Sequence, residues 1–258
     1  MAAAADAAGA DRIGVDIERL GKAERQGGQI AARISSHQLS DLPRLRGVVS
    51  RARLFCRLDP PHSGSNDQVE RALDLGADSL MLPFFHEAAE AEAFVAAVDG
   101  RAETTLLVET AAAAVRIDAL AALGGVDEIM VGLNDLSWDC GVASRFLLLT
   151  SPLLDSVSRS ARAGGKRLAV GGLARWDDQR LPTPADLVYA QYPRLGARGA
   201  WLARSFLDGL GPRDLKSAFA ALRDRLDHWG RQDGATLETA RRRLQRASVV
   251  KPPLDGRV

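Results

Sequence analysis

Short apolar blocks alternate with longer amphipathic stretches along most of the chain. The blocks lie at 12–18, 53–58, 79–84, 104–109, 128–133, 167–171 and 199–204. Several are apolar almost throughout, which suits parallel strands covered on both faces. Helix-like stretches lie between and around them, at 2–8, 67–75, 87–98, 111–123, 152–163 and 215–229. One junction recurs: a helical stretch, a glycine, a small apolar residue, a charged residue, then an apolar strand. It reads Gly9-Ala10-Asp11, Gly76-Ala77-Asp78 and Gly125-Val126-Asp127, with a looser copy at Gly196-Ala197-Arg198-Gly199. Glycine takes the left-handed conformation that closes a helix, so the strand begins directly after it.

Helix and strand in alternation predict an α/β fold of the TIM-type (β/α) barrel class. A closed barrel has eight strands, and seven are visible. Helix 2–8 has no strand before it, so the first strand is the one missing. A misassigned start fits this, and so does an open or rearranged barrel. The expected organisation is a barrel domain at 1–210 and a helical extension at 211–258. Pro252 and Pro253 are expected to stop the last helix. Helices of this kind after a barrel suit packing in a homo-oligomer, or plain packing on the parent barrel.

The length of 258 residues suits one such barrel. A net charge of +1, from 34 basic and 33 acidic residues, points away from nucleic acid and from acidic membranes. The basic run Arg241, Arg242, Arg243 and Arg246 is expected to be a solvated helix face. Cys56 and Cys140 have no metal-ligand spacing and are expected to be reduced thiols. No stretch is long and uncharged enough for a membrane span, and residues 1–10 lack the basic start and Leu-rich centre of a signal peptide. The cytoplasm is the expected compartment.

Barrel chemistry sits at the carboxyl ends of the strands. There the sequence delivers Arg57, then Glu109 with Thr110, then Asn134 and Asp135. Asp16 and Glu18 end the first visible strand, two residues apart and so on one face of it. His37, His62 and His86 follow strand ends; His37 and His62 are candidate acid–base groups, because histidine titrates near neutrality. His228 in the tail is expected to be surface.

Leu106 to Gly141 reads LLVETAAAAVRIDALAALGGVDEIMVGLNDLSWDCG. Glu109-Thr110, Gly125-Val126-Asp127 and Gly132-Leu133-Asn134-Asp135-Leu136-Ser137 occur in that order. Upstream lie Cys56-Arg57-Leu58-Asp59-Pro60, and Gly76-Ala77-Asp78 with Met81-Leu82-Pro83. Together these resemble the HpcH/HpaI aldolase and citrate lyase family of pyruvate-binding barrels, from about Asp11 to about Phe206. The resemblance implies a divalent metal held by Glu109 and Asp135, Arg57 facing the keto oxygen of a 2-oxo acid, and backbone amides near Asn134 and Asp135 receiving its carboxylate. Magnesium is the first candidate, with manganese and cobalt as the others. Hard octahedral cations suit two carboxylates plus water and a chelating substrate.

The expected catalytic residues are Arg57, Glu18 and His62. The expected substrate-binding residues are Arg57, Asn134 and Asp135, and the expected metal ligands are Glu109 and Asp135. The family's aldolases carry a histidine soon after the acidic pair, where this chain has Arg19, so the base is not identified. The leading expectation is a metal-dependent carbon–carbon lyase cleaving a 2-oxo-4-hydroxy acid to pyruvate, or a related 2-oxo acid, and an aldehyde. The alternatives are a citrate lyase β-like acyl-coenzyme A lyase and an inactive barrel that binds a ligand or partner.

Overall fold

The structure, a computed structural model, describes residues 1–22 and 35–249. Pro252 and Pro253 lie outside them. Helix α1 (Ala2–Ala7) leads into β1 (Arg12–Asp16), and α2 (Asp41–Arg46) precedes β2 (Arg53–Arg57). Then follow α3 (Ser65–Asp74), β3 (Ser79–Leu82), α4 (Ala88–Val98) and β4 (Glu103–Val108). After β4 the expected single helix is broken at Arg116 into α5 (Ala111–Val115) and α6 (Ile117–Ala122). Next come β5 (Glu128–Val131), α7 (Leu133–Asp139), α8 (Arg145–Leu149), α9 (Pro152–Ala163) and β6 (Arg167–Leu173). The chain continues through α10 (Ala185–Tyr189), α11 (Gln191–Leu195), β7 (Gly199–Leu202), α12 (Leu215–Gly230) and α13 (Gly234–Ser248).

Among the described residues there are seven strands, all parallel, which pair in chain order from β1 to β7. The recurring junction works as the sequence suggests: Gly9, Gly76, Gly125 and Gly196 all have positive φ. The aspartate after the glycine has a further job. Asp78, ahead of β3, accepts from the Leu54 N–H of β2 at 2.7 Å, and Asp127, ahead of β5, accepts from the Thr104 N–H of β4 at 2.8 Å. Each carboxylate thus satisfies a donor at the amino end of the preceding strand. Asp11 holds the same place before β1, and its carboxylate is 92% exposed and pairs with Arg223.

The sheet curls, and alternate strand residues build three interior tiers. At the amino end, Arg12 on β1 donates to both oxygens of Glu128 on β5, at 2.7 and 3.0 Å. Arg53 pairs with Glu103 at 2.8 Å, and Arg167 pairs with the same carboxylate. The middle tier is apolar: Phe55, Met81, Leu107, Met130 and Ala169, with Trp201 packed against them. Phe55 and Trp201, from β2 and β7, meet edge to face at 5.3 Å. At the carboxyl end the same alternation delivers Asp16, Arg57, Glu109 and Gly132. Contacts between β1 and β5, and between β2 and β7, require a curled sheet. Among the described residues the curled sheet is open between β1 and β7: β3 and β5 are buried at every residue, whereas β7 is half-exposed at every residue.

The helices cover the outer face and complete a second, larger core. The tail packs on the chain itself. Asp186 of α10 binds Arg225 and the Trp229 indole N–H of α12, and Leu244 of α13 is fully buried. Among the described residues no helix is long and apolar enough to cross a membrane.

Candidate active site

Asp16 and Arg57 are register partners on β1 and β2. The Arg57 guanidinium donates through Nε to Asp16 Oδ1 at 2.8 Å and through Nη2 to Asp16 Oδ2 at 2.6 Å. Its Nη1 lies 3.2 Å from Glu18 Oε2, and its Cζ sits 4.8 Å from the Trp201 ring centre. Two carboxylates hold two edges of the plane and an indole holds one face. Such a fork is preorganised for a ligand oxygen. Burial alone would lower the Arg57 pKa. Its bonds to Asp16 and the charges of Glu18, Asp16 and Glu109 outweigh that and hold it above its ordinary value. Burial likewise pushes Asp16 up, but Arg57 and Lys22 leave its carboxyl below the usual range.

Glu109 is buried at the end of β4, and its Oε1 accepts from the Phe84 N–H at 3.1 Å. Phe84 takes a positive φ of 44° to present that donor, a strained conformation for a bulky residue. Gly132 ends β5 against the same carboxylate. A Cβ there would stand 2.6 Å from Glu109 Oε2 and 2.8 Å from Glu109 Cβ. A side chain is excluded at this position by contact, not by φ. Thr110 fixes the turn after Glu109: its hydroxyl donates to the Phe85 carbonyl at 2.7 Å and accepts from the Ala113 N–H at 3.0 Å. Asp135 lies half-buried in the first turn of α7, beside exposed Asn134.

The histidines are placed differently from one another. His62 lies in the exposed loop after β2, its Nδ1 3.0 Å from both the Pro60 carbonyl and the Ser65 hydroxyl of its own loop. Exposed His37 accepts through Nδ1 from the Asp16 N–H at 3.1 Å, which brings its ring to the edge of the site. His86 is exposed and packs edge-on to Phe84. Arg19 turns outward, and its guanidinium donates to the His37 carbonyl at 3.1 Å. Burial pushes the Cys56 thiol up to about 12, so it is not a thiolate nucleophile near neutral pH.

Two site residues were not singled out from the sequence. Lys22 is buried, with Nζ 2.6 Å from Glu18 Oε2 and 3.6 Å from Asp16 Oδ2. Glu18 and Lys22 meet across the turn at Gly21 and not along a helix face, so the sequence held no periodic signal for the pair. Arg145 donates to Asn134 Oδ1 at 3.0 Å and has no carboxylate partner among the described residues. Burial lowers its pKa. The sequence held no signal for it either.

Fold and site together define a (β/α)-type sheet with an arginine and acidic side chains at its carboxyl end. The chain belongs to the HpcH/HpaI aldolase/citrate lyase family, whose model matches residues 1–146. A 4-hydroxy-4-methyl-2-oxoglutarate aldolase of Chaetomium globosum is 29% identical over 138 residues, 41% of this chain and 51% of that protein. A protein of the same name from Hapsidospora irregularis is 29% identical over 160 residues, 49% of this chain and 58% of that protein. The chain thus spans about half the length of these curated relatives. A solved HpcH/HpaI aldolase/citrate lyase family protein from Burkholderia cenocepacia matches with a TM-score of 0.59 at 17% identity, over 88% of this chain and 90% of that one. At that identity the likeness concerns the fold.

Proposed function

We propose that the protein is a metal-dependent carbon–carbon lyase that cleaves a 2-oxo-4-hydroxy acid to pyruvate, or a related 2-oxo acid, and a carbonyl product. The observation that carries this is the Arg57 guanidinium, held on two edges and one face above a buried carboxylate site. Asp16 accepts from Nε and Nη2, Glu18 lies 3.2 Å from Nη1, and a guanidinium carries five N–H donors, more than these two carboxylates take up.

The donor set fits a divalent cation. Glu109 is buried at the end of β4 and Asp135 is half-buried in the first turn of α7, so each brings a hard oxygen donor at the carboxyl end of the sheet. Among the described residues no three His, Cys, Asp or Glu side chains are grouped to hold an ion by themselves. Two carboxylates with open positions match a magnesium-type ion that keeps places for water and substrate. Held by Glu109 and Asp135, it would supply Lewis acidity toward the keto acid.

In the cleavage a base takes the 4-hydroxyl proton, C4 becomes the carbonyl of the leaving product as the C3–C4 bond breaks, and a proton returned to C3 of the enolate completes the 2-oxo acid. The bonding pair moves into the 2-oxo group, and charge builds on that oxygen. Arg57 donates to the oxygen as the charge develops, and it cannot act as base because its own proton is held firmly. Asp16 and Glu18 keep its plane fixed, so little reorganisation accompanies the step.

Arg145 supports a substrate with a second carboxylate. A half-buried guanidinium with no carboxylate partner among the described residues is stabilised by an incoming anion. Dicarboxylic 2-oxo-4-hydroxy acids, such as those named for the fungal relatives, meet that requirement.

The test is turnover of a panel of 2-oxo-4-hydroxy acids with magnesium, manganese or cobalt, read as 2-oxo acid release. The panel pairs mono- with dicarboxylates and includes an acyl-coenzyme A ester. Release from the dicarboxylates supports the assignment, and turnover of the coenzyme A ester alone refutes it. Arg145→Leu is expected to raise KM for dicarboxylates about tenfold or more and to leave monocarboxylates unchanged. Glu109→Ala and Asp135→Ala are expected to abolish manganese binding by calorimetry while the far-UV spectrum is kept. Retained affinity in both variants removes the metal site.

A further inference from the structure

Lys22 has no part in the reaction as derived above, yet it is 3% exposed and lies among the residues that hold Arg57. Burying a lysine is costly unless it is paired and hydrogen-bonded. The chain builds a turn to place it there. Asp59, from the strand end that delivers Arg57, accepts from the Arg19 N–H at 2.6 Å and the Leu20 N–H at 3.0 Å. Gly21 takes a positive φ of 66°, and the Lys22 N–H donates to the Arg19 carbonyl at 3.2 Å. The chain doubles back, and Nζ arrives 2.6 Å from Glu18 Oε2. That same oxygen lies 3.2 Å from Arg57 Nη1. Asp16 Oδ2 likewise faces both cations, at 2.6 Å from Arg57 Nη2 and 3.6 Å from Lys22 Nζ. Asp16, Glu18, Arg57 and Lys22 therefore form a closed ring of two negative and two positive groups, each side chain at most 12% exposed.

We propose that Lys22 is a positioning residue for the carbon–carbon cleavage: by neutralising Glu18 it keeps the Arg57 guanidinium aimed at the substrate's keto oxygen. The inference rests on the lyase reading above. Among the described side chains, two carboxylates around one arginine would leave a net negative charge beside the oxygen that gains charge in the transition state. They would also draw Nη1 toward fully buried Glu18. Lys22 removes that imbalance through the carboxylate it shares with Arg57. Because the effect falls on developing charge, it belongs to kcat more than to KM.

The experiment uses the full chain with magnesium. It measures kcat and KM on a dicarboxylic 2-oxo-4-hydroxy acid, and the affinity for oxalate, a planar dianion resembling the enolate, by calorimetry. Lys22→Met is expected to lower kcat about 100-fold with KM within about threefold, and to weaken oxalate about tenfold or more. Lys22→Arg keeps the charge and is expected to recover most of kcat. Lys22→Met on a Glu18→Gln background should change kcat and oxalate affinity less than about threefold, because the charge it balanced is gone. This comparison also serves if Lys22→Met alone fails to fold, since removing one positive and one negative group together keeps the ring balanced. Overturning results are a folded Lys22→Met with kcat within threefold of wild type, a Lys22→Arg as impaired as Lys22→Met, or an undiminished loss on the Glu18→Gln background. Failure of the wild type itself to turn over any acid or bind oxalate refutes the lyase reading and the role of Lys22 together. The three results above, obtained with an active wild type, refute the role of Lys22 alone.

Discussion

Glu109 is defined as much by a missing side chain as by its own. Gly132 has a φ of −88°, which any residue can adopt, so only the approach to Glu109 requires glycine there. Gly132→Ala is expected to push the Glu109 carboxylate off its Phe84 N–H and to lower kcat about 10- to 100-fold, the range seen when a ligand's support is disturbed. Global stability should change less than activity. A variant with wild-type kcat shows that Glu109 moves without consequence. Arg57→Lys is the matching test on the cation. Lysine keeps the charge but loses the fork that grips Asp16 through Nε and Nη2, so turnover should fall about 100-fold and manganese affinity should hold. These residues were legible in the sequence, because each stands where an apolar strand run stops. Lys22 was not, since it lies beyond a turn whose geometry Asp59 and Gly21 set.

At the scale of elements, the glycine–aspartate junction does two things. The glycine ends the helix, which the sequence showed, and the aspartate satisfies a donor at the foot of the neighbouring strand, which it did not. The bond from Asp78 to Leu54 spans 24 positions and exists only once β2 and β3 are paired. Helix α1 is tied down in a similar way. Asp6 accepts from the backbone N–H groups of Ser50, Arg51 and Ala52 in the turn before β2. The bond to the Ser50 N–H is the largest cause that holds its carboxyl at about 2. A carboxyl whose pKa is depressed on folding adds stability above its ordinary value near 3.8, and loses that contribution as pH falls toward 2. Asp6→Asn should therefore lower the melting temperature at pH 7, and its deficit against wild type should shrink as pH drops from about 4 to 2. A deficit that does not vary with pH refutes the ionised contact. The helix expected at 111–123 is broken at Arg116, whose guanidinium reaches back to the Ala112 carbonyl and across to Glu87. Periodicity alone does not reveal such a break.

Across the whole molecule, the two ends of the strands do different work. The amino end is closed by Arg12, Arg53, Arg167, Glu103 and Glu128, and the carboxyl end carries the candidate site. The Arg12–Glu128 pair joins β1 to β5 and so fastens the curl. Glu128→Gln should cost about 1 to 2 kcal/mol, because it takes the bidentate partner from Arg12, which among the described residues keeps only Glu103 at 3.6 Å. It should lower the urea midpoint with an unchanged slope and leave kcat intact, since the site lies at the opposite end of the strands. A fall in kcat equal to the fall in stability would show that the two ends are coupled.

The order of apolar blocks and glycines determined the class of fold, the seven parallel strands of the described residues and the strand ends that bear Arg57 and Glu109, whereas Asp135, expected at a strand end as well, lies in the first turn of α7. Those are local signals: a strand of a buried parallel sheet writes its hydrophobicity in consecutive residues, and a helix end writes its glycine. Only the tertiary structure decided that the sheet of the described residues curls without closing, that three arginines and two glutamates meet at its amino end, and that Lys22 and Arg57 share one oxygen of Glu18. Charge pairing of this kind depends on distances between residues far apart in the chain. The hydrophobic pattern that builds the strands carries no record of them.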